Sequence, residues 1–379
     1  MGENPLLKLS TYGQSVWLDY IRRQMIESGE LKKLIDADGL KGVTSNPAIF
    51  QKAIAGSTDY DKAIRTLAQA GKSVQEIYET LTVEDVGRAA DVFRPLYDRV
   101  EGTDGFVSLE VNPHLARDTD GTIAEARHLW QALRRPNVLI KVPATKEGLP
   151  AIRQLISEGI NVNVTLLFGL PRYREVAEAY IAGLEARAAQ GRPLNRVASV
   201  ASFFLSRIDV LLDPRLEKMA AAGGTQSQTA RDLIGKVAIA SAKEAYRIYQ
   251  EIFGSPRFQK LAARGARPQR LLWASTSTKN PAYLDVKYVE PLIGPDTVNT
   301  LPPETLEAYR DHGDPASRLT EAVDRAASDL QRLPELGIDL NQATQQLEDE
   351  GVEKFNQPFD SLMATLETKR REVLPGGKP

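Results

Sequence analysis

The sequence predicts an α/β fold, a single (β/α)8 barrel of the TIM type with extra helices and a helical C-terminal extension. Three observations carry that prediction. Short apolar segments alternate with amphipathic ones as far as about residue 300, the rhythm of βαβ units and a parallel sheet. The apolar segments number eight, as a closed barrel requires. Polar residues recur on one face near their C-terminal ends, which is where barrels of this kind build active sites. A chain of 379 residues with 42% hydrophobic composition allows two or three domains, but barrels with insertions reach this length as one. No linker or low-complexity tract divides it, so one domain is expected over 1–379, with the barrel at about 10–312 and C-terminal helices at about 313–373.

In chain order, strands are expected at 16–19, 42–46, 106–112, 137–142, 161–168, 198–204, 270–275 and 297–300. Each is short and rich in β-branched or aromatic residues, and turn formers bound it. Amphipathic patterns at 20–37, 118–133, 147–157 and 171–189 predict crossover helices. Three spans break the rhythm. Residues 51–105 carry two helical patterns, at 59–70 and 83–100. Residues 208–269 hold Gly223-Gly224 and then a strong helical pattern at 229–253. The last seventy or so residues read as helical, punctuated by Pro334 and Gly337, with a final helix at 351–373. The Pro-Gly-Gly-Lys-Pro tail is expected to be disordered.

Composition excludes several chemistries. There is no cysteine, so thiol nucleophiles, disulfides and thiolate metal sites are ruled out. The three histidines, His114, His128 and His312, are not grouped at ligand spacing, which disfavours a zinc hydrolase or a Ser-His-Asp enzyme. Neither a thiolate nor a histidine metal site is expected. A net charge of −2 without a basic run argues against nucleic acid as a partner. The opening residues lack a basic patch followed by an apolar stretch, and nothing reaches membrane-spanning length. A soluble cytoplasmic protein, monomeric or homodimeric, is the expectation.

The most informative residue is Lys141, in the run Asn137-Val-Leu-Ile-Lys-Val-Pro-Ala-Thr145. Strand side chains alternate, so Val138, Ile140 and Val142 point to one side and Lys141 to the other. An amine facing the interior is costly when charged, and a neutral positioned amine can attack a ketone to form a Schiff base. The plainer alternative is a strand-end lysine whose stem is buried and whose ammonium reaches water. The other strands weigh against it. Val107, Leu109 and Val111 oppose Ser108, Glu110 and Asn112, and Val162, Val164 and Leu166 oppose Asn161, Asn163 and Thr165. Helices cover the outside of a barrel, so these polar faces must point inward and find partners there. Asp19, Asn46, Glu110, Lys141, Asn163, Thr165 and Ser202 then converge on one mouth.

That set reads as ketose chemistry. Lys141 attacks the carbonyl, while Glu110 and Thr165 hold a water that moves protons during carbinolamine formation and dehydration. Asp19 takes a hydroxyl proton as the adjacent carbon–carbon bond breaks. Asn46, Asn163 and Ser202 bond sugar hydroxyls. Arg207 and Lys279 follow the sixth and seventh strands, where this fold often binds phosphate, and Ser275 and Ser277 share a face there. Structural alternatives stand beside each role. Asn46-Pro47 suits a turn, Asp19 suits a helix cap, Asn163 and Thr165 suit an internal network, and Arg207 and Lys279 suit surface cations.

Five motifs carry a resemblance: Gly42-Val-Thr-Ser-Asn-Pro47, Val107-Ser-Leu-Glu-Val111, Val138-Leu-Ile-Lys-Val-Pro143, Gly159-Ile-Asn-Val-Asn-Val-Thr-Leu-Leu-Phe168 and Trp273-Ala-Ser-Thr. In order and spacing, over roughly 10–312, they resemble the transaldolase family. The segment from Asp285 to Pro302 looks like its longer bacterial branch. The resemblance implies a cofactor-free transferase of the non-oxidative pentose phosphate pathway, passing a dihydroxyacetone unit from sedoheptulose 7-phosphate to glyceraldehyde 3-phosphate. It implies Lys141 as the Schiff-base lysine, Asp19 as the acid/base group and Glu110 with Thr165 as the water-holding pair. Asn46, Asn163 and Ser202 match its substrate-binding residues, and Arg207 a phosphate-binding arginine. The family's second phosphate cation is an arginine. Here Lys279 takes its place, with Ser275 or Ser277 as the accompanying serine. Two other readings stay open. One is a lyase acting on fructose 6-phosphate without an acceptor. Short aldolases similar to this family carry a tyrosine where this chain has Phe204, which favours the transferase. The other is a non-catalytic sugar-phosphate-binding barrel, which has no use for Lys141. Finally, Phe355, Phe359 and Leu362 on the last helix are expected to pack over the mouth and keep water from the enamine.

Overall fold

The computed structural model describes residues 4–373. The tail read as disordered lies outside the described residues. Eight parallel strands close into a barrel in sequence order, with β8 returning to β1. They are β1 (Gln14–Leu18), β2 (Gly42–Val43), β3 (Phe106–Glu110), β4 (Val138–Pro143), β5 (Val162–Leu167), β6 (Ser199–Phe204), β7 (Arg270–Ala274) and β8 (Thr297–Leu301). All eight expected strands form, with shifted ends. The second is cut to two residues because Asn46 and Pro47 already open a helix, Pro47–Ala55. Gly42 must be glycine there, since a Cβ would fall 2.5 Å from Cδ2 of the fully buried Trp17.

Helices depart from expectation where glycine intervenes. The pattern at 20–37 splits into Arg23–Glu27 and Glu30–Asp38, because Gly29 sits at φ 78°. The pattern at 229–253 likewise breaks into Ser227–Leu233 and Val237–Phe253 around Gly235 at φ 70°. Two helices begin earlier than expected. Val74–Arg99 starts from a Ser73–Glu76 capping box, and the last helix runs Leu340–Val373. One apolar cluster extends from Leu6 to Leu366 and includes the C-terminal helix through Leu347, Phe355, Leu362 and Leu366. No helix among the described residues is long and apolar enough to cross a membrane.

One face assignment needs correction. Leu166 does not stay with Val162 and Val164. The β5–β6 register slips between Val164 and Leu167, and Leu166 takes φ 54°. Its side chain meets the C-terminal helix, where a Cβ on Gly351 would lie 3.1 Å from Leu166 Cδ2. A left-handed leucine costs roughly 1–2 kcal/mol. Ser275, just past β7, is held at φ 54° too. Both strained residues flank the barrel mouth, where such strain tends to be stored.

Candidate active site

β4 carries Lys141 into the interior, where it is 4% exposed. Its Nζ donates to Glu110 Oε2 at 2.9 Å and to the Ser45 carbonyl at 2.8 Å. A buried ammonium is tolerable only when paired in this way. Two of its three donors are used, and the side chain also lines a cavity of about 360 Å³ at the C-terminal ends of the strands. Register sets the pairing: Glu110 on β3 lies beside Lys141, and Lys141 beside Asn163 on β5. Burial raises the Glu110 carboxyl above its ordinary value, while the charge and hydrogen bond of Lys141 pull it back down. Its other oxygen, Oε1, and the Thr165 hydroxyl are buried without a hydrogen-bond partner among the described residues.

Asp19 follows the end of β1 and accepts from Thr44 Oγ1 at 2.6 Å. Thr44 in turn meets the Thr300 hydroxyl at 2.7 Å. Asp19 caps no helix; the next one begins after Arg22. Burial raises its carboxyl, and Lys141 and then Thr44 lower it. Asn46 does two things. Its Oδ1 accepts from the Ile49 amide at 3.0 Å as a helix cap, and the residue lines the mouth. Asn163 is fully buried and is not on the mouth wall. It donates to Ser108 Oγ at 3.1 Å and accepts from Ser202 Oγ at 2.6 Å, so it fixes the hydroxyl of Ser202, which does line the mouth.

Beyond β6 and β7 lies a cationic wall. The Arg207 guanidinium sits 5.4 Å from the Phe204 ring and 6.0 Å from that of Phe355, with Nη1 buried and unpartnered among the described residues. Burial lowers its affinity for a proton, and Glu350 and Asp19 partly restore it. A guanidinium with a free donor between two rings has the chemistry to receive an anion. Lys279 Nζ donates to Ser277 Oγ at 2.5 Å, and Ser275 Oγ meets Ser206 Oγ at 2.9 Å; all three of Ser275, Ser277 and Lys279 line the mouth. The inserted 208–269 region steadies this wall. Asp209 accepts from Tyr288 at 2.8 Å and Asp213 from Tyr283 at 2.7 Å, clamping the segment after Lys279.

The C-terminal helix covers the mouth only in part as expected. Phe355 lines it, with its ring centroid 5.8 Å from Lys141 Nζ. Phe359 instead turns to Tyr78 and His114. Sequence reasoning missed Thr44, Thr300, Lys52 and Glu304, which also line the mouth. The hydroxyls were findable, since both fall on the inward parity of their strands. Lys52 was findable from the Asn46-Pro47 helix start.

Comparison with known proteins places the whole chain in a family. The chain matches the family described as transaldolase/fructose-6-phosphate aldolase over residues 16–366. It is 50% identical to a transaldolase of Trichodesmium erythraeum, over 99% of this chain and all of that one. It is 48% identical to transaldolase 2 of Nostoc punctiforme over the same shares. It is also 48% identical to a transaldolase of Thermobifida fusca, over 95% of this chain and 96% of that one. With a match across most of the barrel and relatives aligned end to end, the chain belongs to the transaldolase/fructose-6-phosphate aldolase family.

Proposed function

We propose that this protein is a transaldolase, moving a dihydroxyacetone unit from sedoheptulose 7-phosphate to glyceraldehyde 3-phosphate through a Schiff base on Lys141. The observation that carries the reading is Lys141, paired with buried Glu110, on the wall of a sugar-sized cavity that Arg207 and Lys279 also line. Glu110, biased toward protonation by burial, takes the ammonium proton and frees the amine. The amine adds to the ketose carbonyl. A water between Glu110 Oε1 and the Thr165 hydroxyl gives those two atoms the partner that the protein does not, and moves protons while the carbinolamine dehydrates. Asp19 takes the hydroxyl proton of the carbon next to the breaking bond, and the electron pair passes into the iminium. The aldose leaves, the enamine waits under Phe355, and the steps reverse on the acceptor. Asn46 and Ser202 orient the hydroxyls, with Asn163 behind Ser202. Sugar phosphates as substrates fit a cytoplasmic enzyme, monomeric or homodimeric.

The reading is tested by borohydride reduction in the presence of fructose 6-phosphate. Adduct mass is expected on the peptide holding Lys141, and its absence would leave only a binding barrel. Product formation should also require erythrose 4-phosphate. Turnover without that acceptor would make the protein a lyase, against which Phe204 at the mouth already weighs.

The cationic wall makes a separate prediction. Arg207→Ala should raise KM for fructose 6-phosphate by about 10- to 100-fold, the worth of a hydrogen bond to a charged group. Arg207→Lys should recover only part of that, because a point charge cannot make the two-pronged contact. Steady-state kinetics with unphosphorylated fructose provide the control, and an equal loss there would remove Arg207 from phosphate binding.

A further inference from the structure

A second, smaller cavity of about 90 Å³ lies on the other side of Glu110 from the mouth. Lys141 lines the mouth, Glu110 lines the second cavity, and the 2.9 Å pair between them is the partition. Tyr78 and Glu79 from the Val74–Arg99 helix line it, as do Glu125 from the Thr119–Leu133 helix and Met363 from the C-terminal helix. His128 meets Glu79 at 2.6 Å, and the exposed His114–Asp360 pair lies beside Phe359, which also lines the cavity. The Tyr78 phenol is raised by burial and by the carboxylates Glu110 and Glu125, so it stays a neutral donor. The space suits about three waters, and the polar groups around it suffice to hold them.

The chemistry proposed above, on which this inference rests, demands such a place. The neutral carbinolamine takes a proton from Glu110. Its C–O bond breaks as the nitrogen lone pair forms C=N, and the products are an iminium, a Glu110 carboxylate and one water. At the end of the cycle one water must return to hydrolyse the final imine. Both events happen while a sugar phosphate fills the mouth. We propose that the second cavity is a water port behind Glu110, through which the expelled water leaves and the hydrolytic water enters, with Tyr78 and Glu125 as its polar lining.

Oxygen exchange tests this. Fructose 6-phosphate labelled with ¹⁸O at its carbonyl loses label only when the expelled water escapes before the imine reverts. Label loss is followed by mass spectrometry against trapped Lys141 adduct, corrected for uncatalysed exchange. Met363→Trp, which fills the cavity, and Glu125→Leu, which dries it, should each lower label loss per imine by roughly three- to thirtyfold. Adduct yield on Lys141 should stay unchanged. Two variants of unchanged thermal stability that lose label at the wild-type rate would overturn the port. Absence of any adduct in the wild type would instead overturn the Schiff-base reading itself.

Discussion

Lys141→Met is expected to lose turnover on the order of 10⁶-fold, the scale on which deleting a covalent nucleophile acts. No other described amine is held at the partition between Glu110 and the mouth, so nothing can substitute for it. The stability of the variant is equally informative. Removing one partner of a buried ion pair costs about 3–5 kcal/mol when the other stays charged. Glu110 escapes that cost by taking up a proton, because burial already raises its carboxyl and the lowering influence of Lys141 is gone. The folded variant then binds a proton that the unfolded chain, with an ordinary carboxylate, has released. Stability therefore falls as pH rises from the unfolded value toward the raised folded one, at up to about 1.4 kcal/mol per pH unit. Denaturant titrations between acid and neutral pH should show this slope in Lys141→Met and a shallower one in Lys141→Met/Glu110→Gln, where only Asp19, which Lys141 also lowers, still contributes. A flat profile in the single variant would mean that Glu110 is not the group left unpaired.

Much of this site is legible in the sequence because strand parity is a strong signal. Alternation alone put Glu110, Lys141 and Thr165 on inward faces, and the structure puts them there. Parity gives a face but not a height. Asn163 was expected on the mouth wall because it faces inward, yet its register beside Lys141 leaves it behind Ser202. Glu110 was expected near Lys141, but the direct 2.9 Å pair depends on the β3–β4 register, which parity alone does not give. The start of the C-terminal helix was invisible for a different reason. Between Leu340 and Gly351 the apolar positions are sparse, and that turn is fixed by tertiary contacts such as Arg172 to Glu348 at 3.1 Å. Local propensity yields to such contacts. The splits at Gly29 and Gly235 were missed, because an isolated glycine inside a helical pattern is often tolerated, and only the left-handed φ values of 78° and 70° show that these two end a helix.

Asp19→Asn should separate the two halves of the reaction. Asparagine keeps an oxygen for the Thr44 hydroxyl, so the local geometry survives, but it cannot take a proton. Imine formation depends on Lys141, Glu110 and Thr165 and should proceed. Carbon–carbon cleavage should slow by about 10²- to 10⁴-fold, the usual contribution of a positioned acid–base group. The trapped species reports the difference directly. With fructose 6-phosphate alone the wild type should yield, after borohydride, mainly a three-carbon adduct without phosphate, whereas Asp19→Asn should yield the six-carbon adduct with its phosphate intact. A three-carbon adduct formed at the wild-type rate would assign the proton to another group. The same substitution should leave stability at neutral pH unchanged or higher. A carboxyl raised by burial stabilises the fold only while protonated, and that contribution is lost as pH rises through its folded value. Asp19 is therefore a residue that the fold tolerates and the chemistry requires, which is the trade expected of a buried acid–base group at an active site.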